Sequence, residues 1–103
     1  GELSLNNKKE KNPTTSSFSV ETFVKDRTAE LYIHFNEKSL GVYYNIYYLN
    51  AKNEKVWLGK TPSQDFYISN ILIKKSIIYL EVQSESFGGM KGRILRKKVK
   101  LSQ

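Results

Sequence analysis

Residues 30–49 read ELYIHFNEKSLGVYYNIYYL, and this stretch decides the fold. In its first half Leu31, Ile33 and Phe35 alternate with Tyr32 and His34. A period of two places alternate side chains on opposite faces of a strand, and β-branched and aromatic residues suit a pleated, half-buried surface. The polar run Asn36-Glu37-Lys38-Ser39 then breaks the pattern as a turn. The second half, Val42 to Leu49, carries tyrosine on both faces, and Asn45 sets its phase. With Asn45 outward, Tyr44, Ile46 and Tyr48 point inward and Tyr43 and Tyr47 point out.

The same texture extends in both directions. Upstream, Phe18 to Val24 alternates weakly. Downstream, Val56 to Leu58 begins a short strand with Trp57 facing away from its neighbours, after the turn Asn50 to Glu54. Phe66 to Ile68 follows the Thr61-Pro62-Ser63 loop. Ile77 to Ser84 turns Ile78, Leu80 and Val82 one way and Tyr79, Glu81 and Gln83 the other. Gly88-Gly89 marks a tight turn, where left-handed backbone angles cost little. Arg93 to Leu101 sets Leu95, Val99 and Leu101 against Arg96, Lys98 and Lys100. About seven antiparallel strands at this spacing, with no stretch of helical period, predict an all-β sandwich or barrel.

With 103 residues the chain fits one domain, long enough to bury a core without staples. It has no cysteine, which excludes disulfides and thiolate metal sites. No apolar run reaches the roughly 18 residues that would span a bilayer as a helix. Residues 1–17 are polar and read as a flexible linker or terminus, leaving 18–103 as the folded unit. The opening GELSLNNKKEKN lacks the apolar stretch of an export signal, so the chain reads as a piece of a longer polypeptide. The net charge is +7, yet residues 91–103 alone hold six Lys or Arg and no acid. The basicity belongs to the last strand, not to the whole surface.

These strands together resemble a fibronectin type III domain, an immunoglobulin-like β-sandwich, over roughly Phe18 to Leu101. ELYIHF is similar to the family's second strand, VYYNIYYLN to its third and VWLGKT to the short strand that follows. FYISNILIKKSIIYLEVQS resembles the stretch in which a leucine leads through a tight corner into an inward-facing strand, and SFGGMKGRIL its glycine-containing hairpin. The chain departs from the family in three places. The second-strand tryptophan is missing, with Phe35 the nearest large residue. Lys74-Lys75 stands where the corner proline belongs. The corner tyrosine is displaced, so that Ile78 or Tyr79 takes its place according to register. The resemblance implies a non-catalytic accessory module at the end of a bacterial secreted or cell-surface enzyme, a glycoside hydrolase above all, serving as spacer or docking domain. Endo-β-N-acetylglucosaminidases carry terminal sandwiches that look similar. The competing readings are an independent carbohydrate-binding or adhesion module, and a small oligonucleotide-binding β-barrel.

The residues themselves supply no catalytic set. His34 is the single histidine and reads as a surface side chain. Glu81 and Glu85 read as solvent-facing, because acid–base catalysis needs a pocket that separates two carboxyl pKa values. Gly88-Gly89 lacks the Gly-Lys-Ser/Thr ending of a phosphate loop. No cofactor or metal is expected. Four outward aromatics, Tyr43, Tyr47, Trp57 and Tyr79, are expected on one sheet, either as ordinary surface residues under lysine stems or as a platform for a neighbouring domain or a sugar ring. Arg96, Lys98 and Lys100 have two readings as well. They protect an edge strand from pairing, or they contact an anion. Nucleic acid is disfavoured, because the charge lies on one strand and does not track a groove.

Overall fold

A computed structural model describes residues 12–37, 41–50 and 52–101. Seven strands run in chain order: β1 Phe18–Lys25, β2 Thr28–Phe35, β3 Val42–Leu49, β4 Lys55–Thr61, β5 Asp65–Leu72, β6 Ile77–Ser86 and β7 Lys91–Lys100. β1, β2 and β5 form a three-stranded sheet in that order, and β4-β3-β6-β7 forms a four-stranded one. Every pairing is antiparallel. The domain is a β-sandwich.

The alternation read in the sequence is what closes the two sheets on each other. Leu31, Ile33 and Phe35 on β2 are fully buried, as are Tyr44 and Ile46 on β3 and Leu80 and Val82 on β6. Phe35 stacks on Tyr44 across the gap, with ring centroids 4.0 Å apart and planes 12° from parallel. Phe35 is therefore a large ring at the centre of the core. The Tyr44 hydroxyl donates to the Glu37 carbonyl at 3.0 Å, which satisfies its polar end inside the core. Tyr79 is exposed and Ile78 packs against the core.

Two strands are longer than their apolar patterns suggest. β5 continues past Ile68 because Ser69 and Asn70 form a bulge opposite Glu30, with Asn70 at φ 60°. Asn tolerates that left-handed angle better than most residues, and the bulge lets Ile71 return to the core. In β4 the register slips between Ile46 and Tyr47, leaving Leu58 as the extra residue. Beside it, a Cβ on Gly59 would lie 2.5 Å from the Phe66 ring of the facing sheet, so glycine is required for close approach. The β3–β4 turn is organised by Asn50, whose Oδ1 accepts from the Lys52 and Glu54 amides at 2.9 and 3.0 Å.

The segment before β1, read as linker, is in part docked. Thr15 and Ser16 are buried. Thr15 Oγ1 lies 2.9 Å from Ser84 Oγ on β6 and donates to the Arg93 carbonyl on β7. The Ser17 carbonyl accepts from the Asn36 amide at 2.8 Å. Gly92 makes room for this, since a Cβ there would collide with the Pro13 carbonyl and with Ser84 Oγ. Residues 1–11 of the same stretch lie outside the described residues. At the opposite edge of β1, Lys97 reaches from β7 to donate to the Phe18 carbonyl at 2.8 Å and lies over its ring.

Candidate functional site

The register builds the outer face of the four-stranded sheet row by row. Trp57, Tyr47, Glu81 and Arg96 stand opposite one another across β4, β3, β6 and β7. Lys55, Leu49, Tyr79 and Lys98 form the next row, and Lys60, Asn45, Gln83 and Ile94 the row on the other side. All four aromatics read from the sequence thus share this face. Trp57 is 59% exposed and Tyr79 is also exposed, whereas Tyr43 and Tyr47 are half-buried. Cations lie over three of these rings. Lys55 Nζ lies 5.3 Å from the Tyr47 ring centre and Lys60 Nζ 4.9 Å from that of Tyr43, while the Arg96 guanidinium lies 5.9 Å from Tyr79. Such stacking joins charge to ring quadrupole and covers apolar area with the methylene stems. The sequence reading missed Phe87, which packs on Tyr43 at 4.6 Å and remains exposed in the β6–β7 turn.

Glu81 corrects the sequence reading. It is not solvent-facing but 3% exposed, although it sits on an outward position. Arg96 Nε and Nη2 both donate to Glu81 Oε2, at 2.9 and 2.7 Å, and Lys55 Nζ lies 3.1 Å from Oε1. Burial pushes this carboxyl up, but the hydrogen bonds and charges of Arg96 and Lys55 outweigh it and hold the pKa below the ordinary value. One carboxylate thereby fixes the two cations that cover Tyr47 and Tyr79. Glu85 plays a lesser version of the same part. It accepts from Asn45 Nδ2 at 2.9 Å, with Lys60 at 3.5 Å, and the Asn45 bond chiefly lowers its pKa.

The three basic residues separate on inspection. Arg96 is engaged with Glu81, whereas no acid among the described residues lies in ion-pair distance of Lys98 or Lys100. β7 is an edge strand, where outward lysines block the approach of another strand.

The outer face of the three-stranded sheet carries a second set that the sequence reading did not assemble. Tyr32 stands opposite Glu21 on β1 and Tyr67 on β5, and His34 stands between Ser19 and Asp65. Tyr67 is 53% exposed, and Phe23 and Tyr32 are exposed as well. His34 stands on the surface as read from the sequence, with its Nδ1 2.7 Å from Asp65 Oδ1. The Asp65 charge is the main cause that raises the Tyr32 phenol's pKa, and a hydrogen bond with Glu30 is the main cause for Tyr67. Strand alternation already put Tyr32 and His34 outward. Tyr67 was missed because a three-residue apolar run gives no phase. Among the described residues no group of three or more His, Cys, Asp or Glu is placed to hold a metal.

With the geometry in place, comparison with known proteins supplies the family. The model of the C-terminal domain of GH85 endohexosaminidases matches residues 13–82. The chain belongs to that family. The GH85 C-terminal domain match begins at Pro13, where the docked segment before β1 begins to contact the sandwich. Among solved structures, the glycoside hydrolase domain of Endo-D from Streptococcus pneumoniae R6 superposes with a TM-score of 0.75 at 17% identity. At that identity the likeness is one of fold. It covers 92% of this chain and 16% of the Endo-D chain, so the domain corresponds to a small part of a much larger polypeptide. No curated protein matches the sequence significantly. The GH85 C-terminal domain is an accessory part of a glycoside hydrolase, as the resemblance implied.

Proposed function

We propose that this domain is a fibronectin type III-like, non-catalytic spacer and docking module of a secreted or cell-surface bacterial endohexosaminidase. The observation that carries the reading is the outer face of the four-stranded sheet. There Tyr43, Tyr47, Trp57 and Tyr79 share one face with a pre-formed network of Glu81, Arg96 and Lys55. Trp57 is the natural anchor, being large, exposed and directly across from Tyr47. Interfaces concentrate their energy in such aromatic anchors, and a rim fixed in advance loses little entropy on docking. The division into three and four strands, with β3 between β4 and β6, supports the fibronectin-like assignment. The partner would be the neighbouring domain of the same polypeptide.

The test uses the full-length parent enzyme. Trp57→Ala should lower the temperature at which that enzyme inactivates while leaving kcat on a small hexosaminide substrate unchanged. The 103-residue chain alone should show no turnover of that substrate. Turnover by the isolated chain, lost on substitution of Glu81 or His34, would overturn the reading. Nucleic acid fits less well, because the basic strand stands beside the Glu81 network and the opposite face is acidic. Single-stranded DNA binding by the isolated chain should therefore disappear at physiological salt.

A further inference from the structure

The two outer faces differ in a way that assigns them different partners. On the four-stranded sheet three of the four aromatics already carry a cation over the ring. On the three-stranded sheet no cation lies over Phe23, Tyr32 or Tyr67 among the described residues, and the charges between the rings are the carboxylates Glu21, Glu30 and Asp65. Lys25 sits at the rim, at the end of β1. Tyr32 and Tyr67 are direct cross-strand neighbours, with Asp65 one row to one side of them and Glu30 one row to the other. The pair of rings is thus flanked by a carboxylate at either end along the strands. Asp65 is itself braced by His34.

We propose that this face is a saccharide-binding platform for neutral pyranose oligosaccharides, with Tyr32 and Tyr67 stacking on sugar rings. Glu30, Asp65 and Glu21 accept hydrogen bonds from sugar hydroxyls. The ring faces offer apolar area to the C–H face of a pyranose. Carboxylates at the ring margins take hydroxyl protons in charge-assisted bonds, stronger than neutral ones. The same carboxylates repel uronic or sialic acids, so the face selects by charge against anionic glycans. An exposed aromatic set rimmed by polar groups is the usual mark of a binding surface. The site stands on geometry alone; only the choice of a hexosamine probe rests on the endohexosaminidase reading.

The experiment is an NMR titration of the 103-residue chain with chitohexaose and mannohexaose, and with a hyaluronan hexasaccharide as the anionic counterpart. At least one neutral hexasaccharide should shift the amides of Glu30–His34 and Asp65–Tyr67 at millimolar concentration, and hyaluronan should not. Tyr67→Ala and Tyr32→Ala should each weaken binding about tenfold or more, which corresponds to roughly 1.4 kcal/mol. Tyr67→Phe should retain most of it, because the ring and not the hydroxyl does the stacking. Amide spectra that are unchanged away from the face keep these losses separate from unfolding. Silence from both neutral probes overturns the proposal. So does equal binding of hyaluronan, or a map of shifts on Tyr47 and Trp57 in place of Tyr32 and Tyr67. If the domain proves dispensable in the parent enzyme, the docking role fails but this titration stands, since it uses the chain alone.

Discussion

At the scale of single residues, Glu81 shows how burial and charge decide what alternation cannot. Its outward position predicts a solvated carboxylate, but Arg96 and Lys55 bend over it and exclude water. A partnered carboxylate kept below its ordinary pKa binds its proton less readily folded than unfolded. Its contribution to stability is therefore complete above the unfolded value near 4.3 and is lost as pH falls through the lower folded value. Denaturant titrations of wild type and Glu81→Gln should diverge at neutral pH and converge as pH falls through that lowered folded value. Because Arg96 and Lys55 remain about half exposed, water repays part of what their lost partner gave. The cost at pH 7 should thus be about 1–2 kcal/mol, below the range for fully buried pairs. A difference that persists unchanged to pH 2 would mean that shape, not charge, is what Glu81 supplies. Nothing in the local sequence announced this, because Lys55 and Arg96 are brought together only by the sheet register.

At the scale of strands, the phase of β2, β3 and β6 was legible because one face of each is buried and a one-residue slip would expose it. β3 and β6 accordingly keep Tyr44, Ile46, Leu80 and Val82 inside. β4 and β5 were read too short, since Gly59 and the Ser69–Asn70 bulge interrupt the alternation that identifies a strand. Denaturation of alanine variants checks the phase. Ile46→Ala and Leu80→Ala should cost about 2–5 kcal/mol, and Trp57→Ala about 1 kcal/mol or less. Tyr47→Ala should fall between them, as its half-buried ring supports Lys55. Equal losses at Ile46 and Trp57 would dissolve the distinction between core and platform. Gly59→Ala tests the bulge. Its Cβ meets the Phe66 ring, so a cost of about 1–3 kcal/mol is expected, and trimming the ring with Phe66→Leu should recover part of it.

At the scale of the whole molecule, the boundary at Phe18 was where the sequence changes texture, yet the domain extends several residues further. The reason is chemical. Pro13 to Ser17 contribute hydroxyls and carbonyls, not apolar bulk, and their partners on β6 and β7 lie some seventy residues away in sequence. Polar composition therefore reads as linker. A chain beginning at Phe18 loses the Thr15 bonds to Ser84 and Arg93, and the Ser16 and Ser17 bonds to the Asn36–Glu37 turn. Each such bond contributes about 1 kcal/mol net, and the entropy regained by freeing the segment offsets part of the loss. The truncated chain should accordingly be about 2 kcal/mol less stable in urea than one beginning at Asn12, with a slightly smaller m-value. Gly92 gives an independent check. In the longer chain Gly92→Ala drives a methyl group into Pro13 and Ser84, whereas in the truncated chain only the Ser84 side chain remains to move. The substitution should thus cost clearly less in the shorter background, a coupling that a double-mutant cycle reads directly. Equal costs in the two backgrounds would show that residues 13–17 do not hold the edge of the sandwich in solution.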